Sequence, residues 1–431
     1  MDSLEVSQEL FRVVNGSTSI FIRCEPEEPD YTIHEEGVIW LQAASGESAQ
    51  FPFDRHTFPT LAAMIIAALD GSVIIGWNFK HLVTMYRFYV GKEDFLTGEV
   101  FDLLTIERLS HMWGGKVPGT FQEAIQRLKV ATADPYWKVV YKSIQRPLML
   151  NVVPAMETCG VIDTCNRRAV YPYYEIEGQK NGRLKSTPSV IEKSFNPHNM
   201  GQDPRYKPRE SESRFLVLDF KHMEVSTLAW VSQDPGLLRL IAKKRDVFLA
   251  IWETITGSAA DMKHRSICKS IFLPVCYGEG SVNLAKKLEI SQESAKQLIY
   301  SVRRCFPIAD QYLRTQQESI KEDGVLRDHF GRLRVFQEKA YTCRNFLIQS
   351  PAATICLEKL ISLHKSMQLG SQVVFHVHDG YAIVTPVSTI QNVLNSCKEV
   401  LESESTFAPG LKLRVTAKAG VRLDRLISCP L

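Results

Sequence analysis

Apolar and polar positions follow three different patterns along this chain. Up to about residue 80, the short runs "TSIFIRC", "GVIWLQA" and "SVIIGWN" are rich in β-branched and aromatic residues and read as strands. "TLAAMIIAALDG" lies between the second and third and reads as a helix, so strand and helix mix as in an α/β layer. "FDLLTIERLSHMW" and "FQEAIQRLKV" continue as helices. Pro147, Pro154, Pro172 and Pro188, with "EGQKNGRLKSTPS", then mark a boundary near 150–190, and the polar stretch 196–213 reads as an extended loop. "RFLVLDF" (214–220) is a continuous apolar run and reads as a buried strand, and a long helical block follows from about 223 to 325. The third pattern is "SQVVFHVHDGYAIVTPV" (371–387), between helices expected near 345–369 and 388–403. It reads as a hairpin in which Gly380 supplies the positive φ of a tight turn and Asp379 stands at the tip. "LKLRVTAKA" is expected to be the last strand, and the chain shows no internal repeat.

Composition narrows the picture only a little. A chain of 431 residues can build two or three domains, and 45% hydrophobic with 23% charged residues is ordinary for a soluble protein. A net charge of +3 makes no case for nucleic acid, which local clusters would have to make. Ten scattered cysteines without a Cys-x-x-Cys pair argue against a zinc ribbon and suit a reducing compartment. The acidic, mixed "MDSLEVSQEL" is no signal peptide, and no apolar run approaches the roughly 20 residues of a membrane helix. The expectation is a soluble cytoplasmic protein with no membrane partner.

Candidate chemistry sits at the strand ends. Asp219 closes an apolar strand, Glu224 follows as a helix begins, and Asp379 tops the hairpin. Asp219 and Asp379 could together hold two hard divalent cations, which lower the pKa of an attacking hydroxyl and neutralise a pentavalent phosphate. The plainer alternative makes Asp219 a helix cap and Asp379 a turn residue. In "HRSICKSIFLPVCYGEG", Arg265, Lys269, Leu273 and Tyr277 recur at steps of four and share one helical face. A guanidinium, an ammonium and a ring suit a nucleoside triphosphate, although a solvated cationic face reads the same way. His376 and His378 share a strand face, but no third residue has the spacing of a zinc ligand. Basic residues at Lys243-Lys244-Arg245, Lys286-Lys287, Arg303-Arg304 and Arg332/Arg334 suit a surface that tracks phosphates.

These stretches, in this order, resemble family A DNA polymerases of the bacterial polymerase I type. "DFKHME" is similar to the first catalytic motif, "RSICKSIFLPVCYG" to the nucleotide-binding fingers helix, and "VHDG" to the Val-His-Asp-Glu hairpin. "NGRLKST" (181–187), "RDVFLAIWETITG", "FPIADQYL" with "GVLRDHFGRLR", and "NFLIQSPAATICLEKL" resemble the intervening segments, so the likeness covers roughly 147–425. It implies that Asp219, Asp379 and the Phe220 carbonyl bind two Mg²⁺ ions. Lys269 contacts the triphosphate and can protonate the leaving pyrophosphate, Arg265 holds the γ-phosphate, and Leu273 and Tyr277 lie along the nucleotide. Glu224 resembles the steric gate against a ribose 2′-hydroxyl. Arg183, Asn345, Gln349 and His378 would contact primer and template.

The implied architecture is α/β (α+β). Residues 1–146 form a degenerate 3′–5′ exonuclease-like domain and 147–180 a vestigial thumb or linker. Residues 181–242 begin a right-hand palm with an antiparallel sheet, 243–340 form helical fingers, and 341–431 complete the palm. "PLMLNVVPAMETCGVID" (147–163) resembles the entry to the thumb but runs almost directly into the palm, so the thumb is expected to be largely absent. The implied function is a template-directed DNA polymerase without proofreading, with primer-template DNA and dNTPs as partners and a protein supplying the grip of the thumb. A reduced form of this kind suggests a viral protein. The alternatives are a catalytically weak or inactive DNA-binding replisome scaffold of the same fold, and an RNA polymerase or terminal transferase, against which Glu224 argues. Departures are Gly380 for Glu, Leu273 for an aromatic ring, Pro274 inside the fingers helix and Tyr341 for Arg. In the N-terminal domain, Arg23 and Leu82 stand where metal-binding Asp residues are expected, with Glu25 retained.

Overall fold

Strands β1 (Ser19–Glu25), β2 (Gly37–Ala43), β3 (Ser48–Phe53), β4 (Val73–Trp77) and β5 (Val100–Asp102) form one sheet in the order β3-β2-β1-β4-β5. β1 runs antiparallel to β2, with Ile22 opposite Leu41, and β2 antiparallel to β3. β4 runs parallel to both β1 and β5, so Ile20 pairs with Ile74 and Ile75 with Phe101. Parallel neighbours need a crossover, and helix Phe58–Leu69 lies in the first one. Phe58, Leu61, Ala62, Ile65, Ile66 and Leu69 form its buried stripe, the spacing of a core-facing helix. This is the α/β layer the sequence patterning predicts. One segment differs: "FDLLTIERL" begins as β5 and becomes helical only at Leu103. Asp102 caps that helix, accepting from the Leu104 N–H at 3.3 Å and the Thr105 hydroxyl at 2.9 Å.

The coordinates are those of a computed structural model. They describe residues 3–25, 37–54, 56–90, 96, 98–110, 116–134, 139–187, 196–199, 205–243, 245–336, 343–368 and 370–429. The chain divides into two compact units. One comprises Met1–Asp219, Leu357–Leu401 and Thr416–Leu431, and the other Phe220–Cys356 with Glu402–Val415.

The first unit also contains a five-stranded sheet in the order Gln372–Val377, Gly380–Pro386, Ser213–Phe220, Val415–Gly420, Ile427–Ser428. Phe215, Phe375 and Val374 are buried on it, together with Val161 and Tyr206. Leading up to it, the chain makes wide π-type turns over Tyr141–Gln145 and Leu148–Val152, then helix Val153–Cys159. Among the described residues between Cys159 and Met223 there is no α-helix, only strands and one 3₁₀ turn. Tyr173–Glu175 pairs there with Lys185–Thr187.

The second unit is helical. Among the described residues, the expected block from 223 to 325 is broken into seven helices, and the breaks have local causes. Asp234, Asp246, Asp261 and Ser291 each accept hydrogen bonds from the first backbone N–H groups of the helix they precede. Gly257 and Gly324 follow helix ends in the left-handed conformation. Leu228, Leu237, Ile251, Phe272, Leu284 and Phe346 are central members of the apolar core.

Two expectations change here. Helix Cys343–Ser366 is long and apolar enough to cross a membrane by length and composition alone, although the sequence reading found no such run. Of its most apolar window, 83% is buried inside the protein, so its apolar residues are core. Arg332 belongs to no phosphate-tracking surface. It is 3% exposed and donates to Ser350 Oγ at 2.9 Å and Thr354 Oγ1 at 3.0 Å while paired with Asp328. Tyr341 and Lys244 lie outside the described residues.

Candidate active site

Strand Ser213–Phe220 runs antiparallel to Gly380–Pro386, and its register sets Asp219 opposite Gly380. The neighbouring pairing of Val377 with Gly380 leaves His378 and Asp379 as a two-residue turn. Asp219 is exposed at the strand end and Asp379 half-buried in the turn, so the register brings the two expected metal-binding residues to one edge of one sheet. The turn itself departs from expectation. His378 carries the left-handed conformation at φ 56°, and Gly380 is the first residue of the returning strand. Gly380 matters for space instead: a Cβ there would stand 3.1 Å from Asp219 Oδ1 and 3.4 Å from the Val377 carbonyl. Its missing side chain lets the Asp219 carboxylate lie against the turn.

Among the described residues no group of three or more His, Cys, Asp or Glu is placed to hold a metal ion. Asp219 and Asp379 nevertheless fit a hard divalent cation. They are oxygen donors, and Mg²⁺ is commonly held by one or two carboxylates with waters and phosphate oxygens completing the shell. Phe220, expected to lend its carbonyl, ends the same strand with its side chain 3% exposed.

Arg183 lies in the connection between strands Tyr173–Glu175 and Lys185–Thr187. The sequence reading missed His198, whose ring centroid is 5.0 Å from that of His378. Burial first, then the charges of His378 and Arg183, push His198 down to about 4. His376 is buried and stacked on Tyr381. Burial and then His198 push it down to about 3, with His378 and Arg183 adding to the effect and a backbone hydrogen bond at Gly380 opposing it. Expected primer contacts Arg183 and His378 are thus brought together around a neutral imidazole pair.

In the second unit, helix Met262–Cys276 begins with a capping box between Asp261 and His264. Arg265 is half-buried, and its Nε donates to Asp246 Oδ2 at 2.7 Å. Its guanidinium also lies 5.6 Å from the Phe248 ring. His222 Nε2 is 3.5 Å from the same carboxylate, and its ring meets Phe248 edge-on. Partial burial resists ionisation of Asp246, but the Arg265 hydrogen bond and His222 outweigh it and hold Asp246 below the usual carboxylate range. Burial, with Arg265, Lys221 and Lys269, holds His222 below its ordinary value against the pull of Asp246. Sequence reasoning missed both residues; an Asp directly before the apolar run "VFLAIW" was the available signal for a cap. Lys269 is exposed. Leu273 does not share its face: it is 9% exposed and belongs to the apolar core. Pro274 lies in the last turn, where Tyr277 N–H still reaches the Leu273 carbonyl at 2.9 Å.

Tyr277 donates its phenol hydrogen to Glu224 Oε2, and the Gln349 amide donates to Glu224 Oε1 at 3.0 Å. Both oxygens of the expected gate residue are therefore held by two other expected site residues. Asn345 lies one helical turn before Gln349, on the same face. Arg245, from the basic run, is paired with Glu253 at 2.6 Å.

In the N-terminal layer, the Arg23 guanidinium lies 4.6 Å from the Trp40 ring centre, and Leu82, on helix Phe79–Val90, is 2% exposed. Glu25 ends β1, and its side chain lies outside what is described.

The family model of DNA polymerase family A matches residues 107–425. DNA polymerase I of Chloroflexus aurantiacus is 25% identical over 206 residues, 44% of this chain and 22% of that protein. DNA polymerase I of Helicobacter pylori is 35% identical over 121 residues, 28% of this chain and 14% of that protein. The thermostable DNA polymerase I of Thermus aquaticus is 25% identical over 250 residues, 54% of this chain and 30% of that protein. The chain therefore spans under a third of the length of each of these relatives. The fold is similar to that of the POL domain of Pol1 from M. smegmatis, solved in complex with DNA primer-template and dNTP. The TM-score is 0.75 at 15% identity, covering 98% of this chain and 99% of that one.

Proposed function

Because the chain belongs to DNA polymerase family A, we propose that it is a template-directed DNA polymerase that extends a primer 3′-hydroxyl with dNTPs and does not proofread. The observation that carries this reading is the register that sets Asp219 across from Gly380, beside Asp379. Two carboxylates at one sheet edge repel each other and add nothing to the core, so a cation explains them better than a cap or a turn does. Two Mg²⁺ ions held by Asp219, Asp379 and the Phe220 carbonyl would supply the charge that activates the primer hydroxyl and steadies the transferring phosphate.

The chain's own residues do the rest. Lys269, exposed on its helix, meets the triphosphate and gives a proton to the leaving pyrophosphate. Arg265 exchanges its Asp246 partner for the γ-phosphate, a charge-assisted swap between two anions. Glu224, held at both oxygens, cannot swing aside, and a rigid carboxylate at that place rejects a 2′-hydroxyl. Arg183, Asn345, Gln349 and His378 contact primer and template. The buried Leu82 and the stacked Arg23 support a lack of 3′–5′ exonuclease activity, since a two-metal nuclease needs carboxylates at those places. The helix-free stretch from Cys159 to Met223, among the described residues, supports weak grip on duplex and a protein partner that supplies it.

Primer extension tests the reading. The expected result is Mg²⁺-dependent addition of dNTPs, with rNTPs strongly disfavoured and 3′-mismatched primers left intact. A wild type that behaves like Asp219→Asn would leave the replisome-scaffold reading in its place.

A further inference from the structure

Glu157 is 0% exposed, and its carboxylate is shared among three donors. Lys80 Nζ reaches Oε1 at 2.7 Å and the Thr84 hydroxyl reaches Oε2 at 2.6 Å, both from helix Phe79–Val90 of the N-terminal layer. The third donor is the backbone N–H of Tyr174, at 2.7 Å from Oε1. Lys80, itself 4% exposed, also lies 3.7 Å from the centre of the Tyr173 ring. A buried carboxylate with this many partners fixes geometry more than it adds stability, because desolvation offsets most of the attraction.

What Tyr174 does next gives the clamp a function. Its phenol is fully buried and meets one residue twice: it accepts from the His376 N–H at 3.1 Å and donates to the His376 carbonyl at 3.2 Å. His376 belongs to Gln372–Val377, which stands first in the sheet order and so has an edge with unpaired backbone groups. One hydroxyl, acting as donor and acceptor, satisfies both groups of one residue on that edge. Asp379 follows His376 by three residues, in the turn that this strand begins. Tyr174 also sits in the ribbon that leads to Arg183.

We propose that Glu157 is a positioning residue for nucleotidyl transfer: anchored by Lys80 and Thr84, it fixes Tyr174, and Tyr174 fixes the strand that presents Asp379. The exonuclease-like layer then serves as the mount of the catalytic hairpin, which gives it a role without any nuclease chemistry. This inference rests on the polymerase reading above for its effect on rate, and on the hydrogen bonds alone for its effect on the hairpin.

The test uses the full chain carrying Tyr174→Phe, which keeps the buried ring and removes only the bridging oxygen. The expected result is a kcat for single-nucleotide addition lower by on the order of 10-fold, with KM for dNTP changed by less than about twofold. Amide exchange across 375–379 is expected to speed up in the same variant, most at His376. Lys80→Met combined with Glu157→Gln removes both buried charges together and is expected to give the same pattern. Wild-type kcat in Tyr174→Phe overturns the proposal, whatever the exchange rates do. So does a loss of activity no larger than the unfolded fraction measured by melting. If the wild type extends no primer, the polymerase reading fails by itself, and hairpin exchange in Tyr174→Phe still decides whether the clamp holds the strand.

Discussion

Two sheets in the same unit treat their functional positions in opposite ways. In the N-terminal layer, Leu82 on helix Phe79–Val90 is core at 2% exposure and the Arg23 guanidinium of strand Ser19–Glu25 lies over Trp40. In the other sheet, Asp219 stays exposed at a strand end and Asp379 stays in a turn that a left-handed His378 must form. The difference separates positions that build a layer from positions left at its edge. Buried apolar stripes such as that of Phe58–Leu69 hold a layer together whether or not it does chemistry. Two carboxylates at one sheet edge add no apolar burial, and like charge disfavours them together unless a bound cation offsets it.

The comparison breaks most easily at its acidic end. Asp219→Asn and Asp379→Asn are each expected to lower single-turnover nucleotide addition by on the order of 10³-fold without lowering Tm. A mutant that melts early and loses activity in proportion would place these residues with the structural set. The reverse experiment puts a carboxylate into the N-terminal layer, on helix Phe79–Val90. Leu82→Asp is expected to destabilise the protein by about 3 kcal/mol or more in urea unfolding, because the charge meets an apolar surrounding. It is expected to gain no nuclease activity.

Both layers also bury a neutral histidine, which offers a finer comparison. Burial pushes His81, in the N-terminal layer, down to about 4, with Lys80 adding to the shift; His376 in the other sheet is pushed to about 3. A histidine whose folded pKa is depressed binds its proton in the unfolded chain first. Its stability contribution is therefore complete above pH 6.5 and is lost as pH falls toward the folded value. Urea unfolding at pH 5.5 against 7.5 should show a loss of about 1 kcal/mol from each. An unchanged midpoint would mean that neither ring is held neutral. The smallest effect lies in the helical unit. Asp246→Asn keeps the capping oxygen but frees Arg265, so KM for dNTP is expected to fall several-fold, about 1 kcal/mol. A raised KM would show that Asp246 orients Arg265 for the phosphate and does not compete for it.

The elements were legible where one local signal decided them. Short β-branched and aromatic runs marked the N-terminal sheet, and the apolar run Phe215–Leu218 marked strand Ser213–Phe220. The expected site residues Asp219 and Asp379 needed only strand ends and a turn. What escaped depended on pairing across distance in sequence. Nothing in "LIAKKRDVF" says that Asp246 meets Arg265, and nothing in "PAMETCG" says that Glu157 takes Lys80. Sequence points the positive φ to Gly380, the residue able to adopt it at no cost, and strand register places it at His378. Leu273 kept the helical spacing of a nucleotide contact, but the core took its side chain.

The polymerase reading requires Asp219 and Asp379 to form a divalent-cation site. A calorimetric Mg²⁺ titration of the full chain, saturated with dideoxy-terminated primer–template and the matching dNTP, tests it most directly. Saturable binding near two ions per chain is expected in the wild type, with its loss in both Asp219→Asn and Asp379→Asn. Equal Mg²⁺ binding by wild type and variants would contradict it.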